Sequence, residues 1–405
     1  MSPTLPRWVA RARLRMATGW MAVLVALAAV LTSFPAEAVA PAQPQATTEP
    51  GGYTPTTRAM FNNPLGNEDA KRRLVRHLIR SIDSTPRWGT IRWAVYSFAD
   101  GATADALLRA HQRGVSVRLV FAGKNVYPPM QRVQKALGKN PNARSFAIFC
   151  EKSCRGTRGE MHAKFFSFSR VGEARRVVMV GSNNLTRHNT HEQWSDLYTV
   201  VEGGTYFKAL RDWFEQAKFD RPVADPYIDR STPFGRVIIS PIDLGRHSDP
   251  FMDALDRVTC LTLAGEIDPE APDPKKLIPT NLLISMSAWN GTRGKRIARK
   301  VAELLRGGCT ARVFYGEGVG PAVRTIVADA GGLLRWGTHK GILTHQKTLI
   351  VNGNVAGQPK AVRVWTGSNN WSTLALRRDD LVVEIPDQAI GRQYVGAFWS
   401  TWNRG

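Results

Sequence analysis

Two stretches of this chain carry the same succession of apolar and polar positions. Ala94-Val95-Tyr96-Ser97-Phe98 is a short apolar run ending in Asp100-Gly101, and Ile284-Ser285-Met286-Ser287-Ala288 is another ending in Asn290-Gly291. Runs of this length bounded by turn residues predict buried strands. A helical pattern follows each, around Leu107-Leu108 and from Val301 to Leu305, and Gly114 and Gly308 stand where C-cap glycines close helices. Val115 to Phe121 and Cys309 to Tyr315 then read as the next strands. Strand, helix and strand in succession imply a parallel sheet covered by helices. Farther on, Tyr206, Leu210 and Trp213 share one helical face, as do Tyr394, Phe398 and Trp402, and such aromatic stripes predict core packing.

The chain therefore reads as a tandem repeat of one α/β domain. Pro222, Pro226 and Pro233 mark a boundary near 222–235, which assigns residues 61–222 to a first domain and 223–405 to a second. Ahead of them, Asn67-Glu68-Asp69 predicts a helix start, with Leu74, Val75, Leu78, Ile79 and Ile82 on one face and Arg72, Arg73, Arg76 and Arg80 mostly on the other. Residues 39–60, rich in Pro, Gly and Thr, read as a flexible leader. Residues 1–38 read as a signal peptide: Arg7, Arg11, Arg13 and Arg15 begin it, Met16 to Leu31 is mostly apolar, and Ala36-Glu37-Ala38 supplies small residues for cleavage. The apolar run is shorter than the roughly 20 residues of a spanning helix, so the expected fate is secretion.

At 405 residues and 43% hydrophobic content the chain is long and apolar enough for two ordinary cores. Its formal charge is +22; residues 1–38 hold four arginines and one glutamate, so cleavage leaves +19. That excess favours anionic partners such as nucleic acid, acidic lipid headgroups or anionic polymers, and is compatible with transient contact at a membrane surface. No obligate protein partner is implied. Four cysteines in an exported chain suggest disulfides, and a local bridge in each half pairs Cys150 with Cys154 and Cys260 with Cys309. The cysteine spacing lacks the paired C-x-x-C units of a zinc site, and no cofactor is called for.

The candidate chemistry is also doubled. His162, Lys164 and Gly181-Ser182-Asn183-Asn184 recur as His345, Lys347 and Gly367-Ser368-Asn369-Asn370. Side chains two apart on a strand face the same way, so each His and Lys share a face. One imidazole attacks phosphorus and a second, protonated, releases the leaving oxygen, which requires two histidines on opposite sides of an in-line displacement. Lys164 and Lys347 supply positive charge to the non-bridging oxygens. Ser182, Asn184, Ser368 and Asn370 supply hydrogen bonds to substrate, and a helix starting at each Gly-Ser-Asn-Asn would add amides that favour phosphate. Asp196, 34 residues after His162, and Asp380, 35 after His345, each open an apolar strand and are the candidate carboxylates for holding the imidazoles. Glu192 and Asp379 are the nearest alternatives. Trp336, Trp365 and Trp371 flank the second motif and fit either a ligand pocket or the core. Arg187 to Glu192 reads as a polar loop rather than a metal site.

In these residues the chain resembles the phospholipase D superfamily, whose members carry two His-x-Lys motifs in two similar halves. The resemblance covers about Phe61 to Trp402. It implies two similar α/β domains in a pseudo-twofold dimer with one site at their interface, and metal-independent turnover through a phosphohistidine resolved by water or an alcohol. It also implies that His162 is the nucleophile and His345 the acid. The family pattern places Asp five residues after each Lys, where this chain has Ser169 and Asn352. Three functions follow as expectations: a phospholipase D releasing phospholipid headgroups, with phospholipid favoured over nucleic acid; a secreted nuclease; or a phosphate-binding protein without turnover. The loops Lys124 to Met130 and Glu317 to Pro321 are expected to set the substrate.

Overall fold

The computed structural model describes residues 52–337 and 340–404; the predicted signal peptide and most of the leader lie outside them. Ordered structure begins before Phe61, because Arg58–Phe61 is already a strand, antiparallel to Asp196–Val200.

Alternation along the first predicted strand fixes which way it faces. In Thr90–Val95, Ile91, Trp93 and Val95 are buried together beneath the outer helices while Ala94 points to the other side of the sheet. Asn281–Asn290 repeats this with Leu282, Ile284 and Met286 against Leu283. The helices that follow begin where the turn signals stand. The Asp100 side chain accepts from the Thr103 amide at 2.8 Å and caps Gly101–Gln112, and Asn67 caps Glu68–Lys71 by accepting from Ala70 at 2.9 Å. Gly114 at φ 89° and Gly308 at φ 95° supply the left-handed residue that ends each long helix.

Seven strands form the first sheet, in the order Arg58–Phe61, Asp196–Val200, Ala174–Gly181, Lys164–Val171, Thr90–Val95, Ser116–Ala122 and Phe146–Cys150. The second sheet follows the same order with Gly235–Ile239, Leu381–Ile385, Gln358–Gly367, Lys347–Val355, Asn281–Asn290, Thr310–Val319 and Leu333–Trp336, and adds Ile228–Thr232 at its edge. The last three strands of each series are parallel, as expected. The His-x-Lys strands are antiparallel to their neighbours, which the strand-helix-strand reading did not anticipate. The tight turns after them, Gly172-Glu173 and Ala356-Gly357, leave no room for a crossover and allow only antiparallel return.

Three cores result. One lies wholly within the first half and one wholly within the second, each under its outer helices. The third is shared and contains Tyr206, Leu210 and Trp213 from Gly204–Ala217 together with Tyr394, Phe398 and Trp402 from Gln388–Trp402. Both aromatic stripes thus contribute to the core common to the two halves. Both disulfides join the expected cysteines, Cys150 with Cys154 and Cys260 with Cys309. Among the described residues, no helix is long and apolar enough to cross a membrane.

Candidate active site

Each His-x-Lys motif enters its sheet through the seam, hydrogen-bonded to the opposite half. The His162 backbone N–H donates to the Asp379 carbonyl at 2.9 Å, and that of His345 to the Trp194 carbonyl at 2.8 Å. Short parallel pairings reinforce both, Met161 beside Asp379 and Leu343–Thr344 beside Gln193–Trp194. The Lys164 ammonium donates back to the His162 carbonyl at 2.6 Å, and Lys347 does the same to His345. Tyr96 packs edge-on to the His162 ring at 4.6 Å, with Lys164 Nζ 4.8 Å above its own ring.

The two imidazoles are held by different groups. His162 donates from Nδ1 to Asp380 Oδ1 at 2.7 Å, a contact across the seam. His345 donates from Nδ1 to the Ser182 backbone carbonyl at 2.8 Å. Carboxylate and carbonyl oxygens only accept, so in both rings Nδ1 carries the proton and Nε2 is left for chemistry. Only His162 has a negative charge behind it.

Sheet register explains the difference. Gly181 pairs with Leu197, but Gly367 pairs with Val382, so the backbone equivalent of Asp196 is Leu381 and that of Asp380 is Ser195. Hydrogen bonds agree: the Ser182 amide donates to the Asp196 carbonyl at 3.2 Å, and the Ser368 amide to that of Leu381 at 2.9 Å. Similar spacing from the histidines had made the two aspartates look equivalent. In space they are one residue out of step. Asp196 turns into the shared core, accepting from Ser182 Oγ at 2.6 Å, Thr366 Oγ1 at 2.6 Å and Tyr394 OH at 3.0 Å. It therefore does not hold an imidazole, contrary to expectation.

Burial shapes the electrostatics. Desolvation first, then the charges of Lys164, Arg378 and Lys347, holds the His162 pKa well below the usual histidine value. His345 is lowered likewise by burial, Lys347, Lys164 and His162. Burial brings Lys164 down to about 7 and lowers Lys347 well below its ordinary value. Asp380 is pushed up to about 6 by burial, against the pull of Lys164 and Arg378. Burial and mutual repulsion thus disfavour positive charge on both imidazoles and both lysines, a setting that an anion would relieve.

Residues 78–218 match the family described as Cardiolipin synthase, PLD-like domain. That stretch is a phospholipase D-like domain. Among solved structures, phosphatidylserine synthase of Haemophilus influenzae Rd KW20 has a TM-score of 0.55 at 13% identity, over 86% of this chain and 86% of its own. Polyphosphate kinase of Porphyromonas gingivalis has a TM-score of 0.53 at 13% identity over 84% of this chain, which spans 49% of that kinase. At these identities the likeness is one of fold. No curated protein matches the chain by sequence.

Several residues singled out by this phospholipase D pattern lie elsewhere than expected. The Ser182 and Ser368 hydroxyls donate to Asp196 at 2.6 Å and Asp380 at 2.5 Å and also accept backbone amides, so they brace carboxylates and do not face a ligand. Asn184 and Asn370 each bury a side-chain oxygen with no partner among the described residues, an acceptor that a phosphate oxygen cannot satisfy, so only their amide nitrogens can serve the expected ligand role. No helix begins at either Gly-Ser-Asn-Asn; Arg187–Glu192 starts later, capped by Thr186, and the second copy leads into Trp371–Ser372. Trp365 and Trp371 are fully buried in the second core, whereas Trp336 is 57% exposed. Glu192 pairs with His188 on the surface. Asp379 forms a buried ion pair with Arg155 at 3.0 Å and accepts from Ser153 Oγ at 2.7 Å, fastening the disulfide loop across the seam. Ser169, where the family has Asp, accepts the Thr90 amide at 2.8 Å.

Sequence reasoning missed Arg378 and Glu160. They pair beside His162, with Lys124 3.8 Å from the same glutamate. The equivalent places at the second motif hold Gln193 and Leu343, side by side. Arg378 stands two residues before Asp380 in an Arg-Arg-Asp-Asp run, a signal too common to select it.

Proposed function

We propose that this protein is an exported, metal-independent phosphodiesterase in which His162 is the nucleophile and His345 the general acid. The observation that carries the assignment is the 2.7 Å bond from His162 Nδ1 to Asp380 Oδ1, set against the neutral carbonyl behind His345. His162 Nε2 attacks phosphorus in line while the bond to the leaving oxygen breaks and His345 Nε2–H delivers a proton to that oxygen. The resulting phosphohistidine ring carries positive charge, which Asp380 neutralises. Water then gives its proton to His345 and attacks phosphorus, the P–Nε2 bond breaks, and His162 is regenerated. An alcohol in place of water gives transfer. His345 enters protonated only with an anion bound, because in the free site burial and the lysines disfavour its charge. Lys164, Lys347, Asn184 and Asn370 stabilise the non-bridging oxygens.

Phospholipid is the favoured substrate class, supported by an exported two-motif chain and by similarity along the chain to a phosphatidylserine synthase. The charge of +22 favours a second reading, cleavage of DNA or RNA. Full-length protein incubated with chelator on choline and ethanolamine phospholipids, and on single- and double-stranded DNA, distinguishes them. Lipid turnover lost in His162→Ala supports the first; DNA cleavage with the same dependence and a steep fall with salt replaces it. If neither is cleaved while phosphate ligands bind, catalysis is refuted and the protein is a phosphate binder.

A further inference from the structure

One cavity among the described residues does not contain the imidazoles. It encloses about 770 Å³ where Arg58–Phe61 of the first half meets Gln388–Trp402 of the second. Arg58, Arg73 and Arg404 line it, and among the described residues no Asp or Glu does. The Arg58 and Arg73 guanidinium groups have no hydrogen-bond or ion-pair partner among the described residues. Arg404 donates to Asn63 at 3.4 Å and lies 6.0 Å over the ring of Trp194. Trp194 is 5% exposed, and its indole N–H is buried without an acceptor. Most of the remaining wall is Thr, Asn, Gln and Ser, which provide neutral hydrogen-bonding groups. A concave surface with several cations, unused donors and no Asp or Glu among the described residues is complementary to an anion with several acceptor oxygens.

We propose that this cavity is a second phosphate-binding site, separate from the His-x-Lys centre, that takes a soluble phosphate-bearing anion. Phosphate matches the guanidinium fork, and the volume exceeds that of a single phosphate, so a short chain of phosphates fits better than one. Because both halves supply walls, an occupant bridges the seam. The site also adjoins the catalytic strand from behind: Gln346, between His345 and Lys347, lines it, and the Trp194 carbonyl holds the His345 amide at 2.8 Å.

Gly396 provides a test that spares the fold. It lines the cavity within a helix, and a Cβ added there meets open space, so Gly396→Glu places a carboxylate among the arginines without a clash. Calorimetric titration of the full chain with tripolyphosphate is expected to show one more equivalent bound by the wild type than by Gly396→Glu. Arg58→Gln/Arg73→Gln is expected to weaken that equivalent about tenfold or more, as lost charge-assisted contacts should. The same equivalent persists in His162→Ala, which separates this site from the catalytic centre. Equal stoichiometry and affinity in wild type and Gly396→Glu overturn the proposal. Vesicles carrying phosphatidate form a second arm: binding to them that depends on Arg58 and Arg73, with none to tripolyphosphate, also overturns it in favour of a lipid headgroup.

Discussion

The two halves share strand order, motif and core plan, yet they present different surroundings to their histidines. In the first, His162 has a carboxylate at its back and the Glu160–Arg378 pair and Tyr96 at its side. In the second, His345 rests on a peptide carbonyl, with Leu343 and Gln193 where the ion pair would be. The loops behind them differ too. Arg293, held by buried Asp249, donates to Asn369 Oδ1 at 2.9 Å and to the Asn370 carbonyl at 2.9 Å, while Asn183 of the first copy is buried with no side-chain partner among the described residues. A duplicated fold has thus supplied two unlike imidazole settings, as the proposed in-line displacement with a separate nucleophile and acid requires.

The strongest way to break this comparison is to neutralise each aspartate. Asp380→Asn is expected to lower turnover about 10⁴-fold, as when the carboxylate behind a catalytic histidine is lost. Asp196→Asn, which disturbs hydrogen bonds worth about 1 kcal/mol each, should cost about tenfold or less. Equal losses, measured as kcat/KM on one phosphodiester, would refute the unequal roles.

Stability offers a second contrast. Arg293→Met leaves Asp249 buried with only Arg296 nearby and strips donors from the second loop, and is expected to cost about 3 kcal/mol in denaturant unfolding. Thr103 occupies the matching helix position in the first half, donating to Asp100 at 2.7 Å, and Thr103→Val should cost about 1 kcal/mol.

Moving the carboxylate sharpens the comparison. Ser195→Asp together with Asp380→Ser places the acid behind His345, and peptide mapping of acid-quenched protein should then find the phosphoryl adduct on His345 instead of His162. Ser195→Asp alone is expected to raise the His345 pKa and to shift the pH dependence of turnover upward.

The smallest effect is in the pH dependence of stability. Lys164 titrates at about 7 in the fold, well below an ordinary lysine, so the unfolded chain binds more protons between there and about 10.4. Stability therefore rises with pH across that window and falls as pH drops toward 7. Lys164→Met should flatten this part of the slope, measured by denaturant midpoints at pH 7 and 9.5.

Much of this architecture was legible in the chain. Alternating apolar positions placed Thr90–Val95 and Asn281–Asn290, turn residues bounded their helices, and the aromatic stripes at Tyr206 and Tyr394 marked buried faces. The same reasoning paired the cysteines correctly. It failed where function depends on contacts between distant segments. Nothing local distinguishes Ser182, which braces Asp196, from a serine that binds phosphate, and Arg378 reaches the site only because the halves close over Glu160.

Local periodicity and a repeated motif were enough to determine two α/β halves and to nominate their histidines and lysines, because strand alternation and turn chemistry act over a few residues. Only the tertiary structure decided which carboxylate serves which imidazole. A one-residue change of register in an antiparallel sheet turns a side chain to the opposite face, so the near-equal spacings of Asp196 and Asp380 from their histidines concealed two different directions.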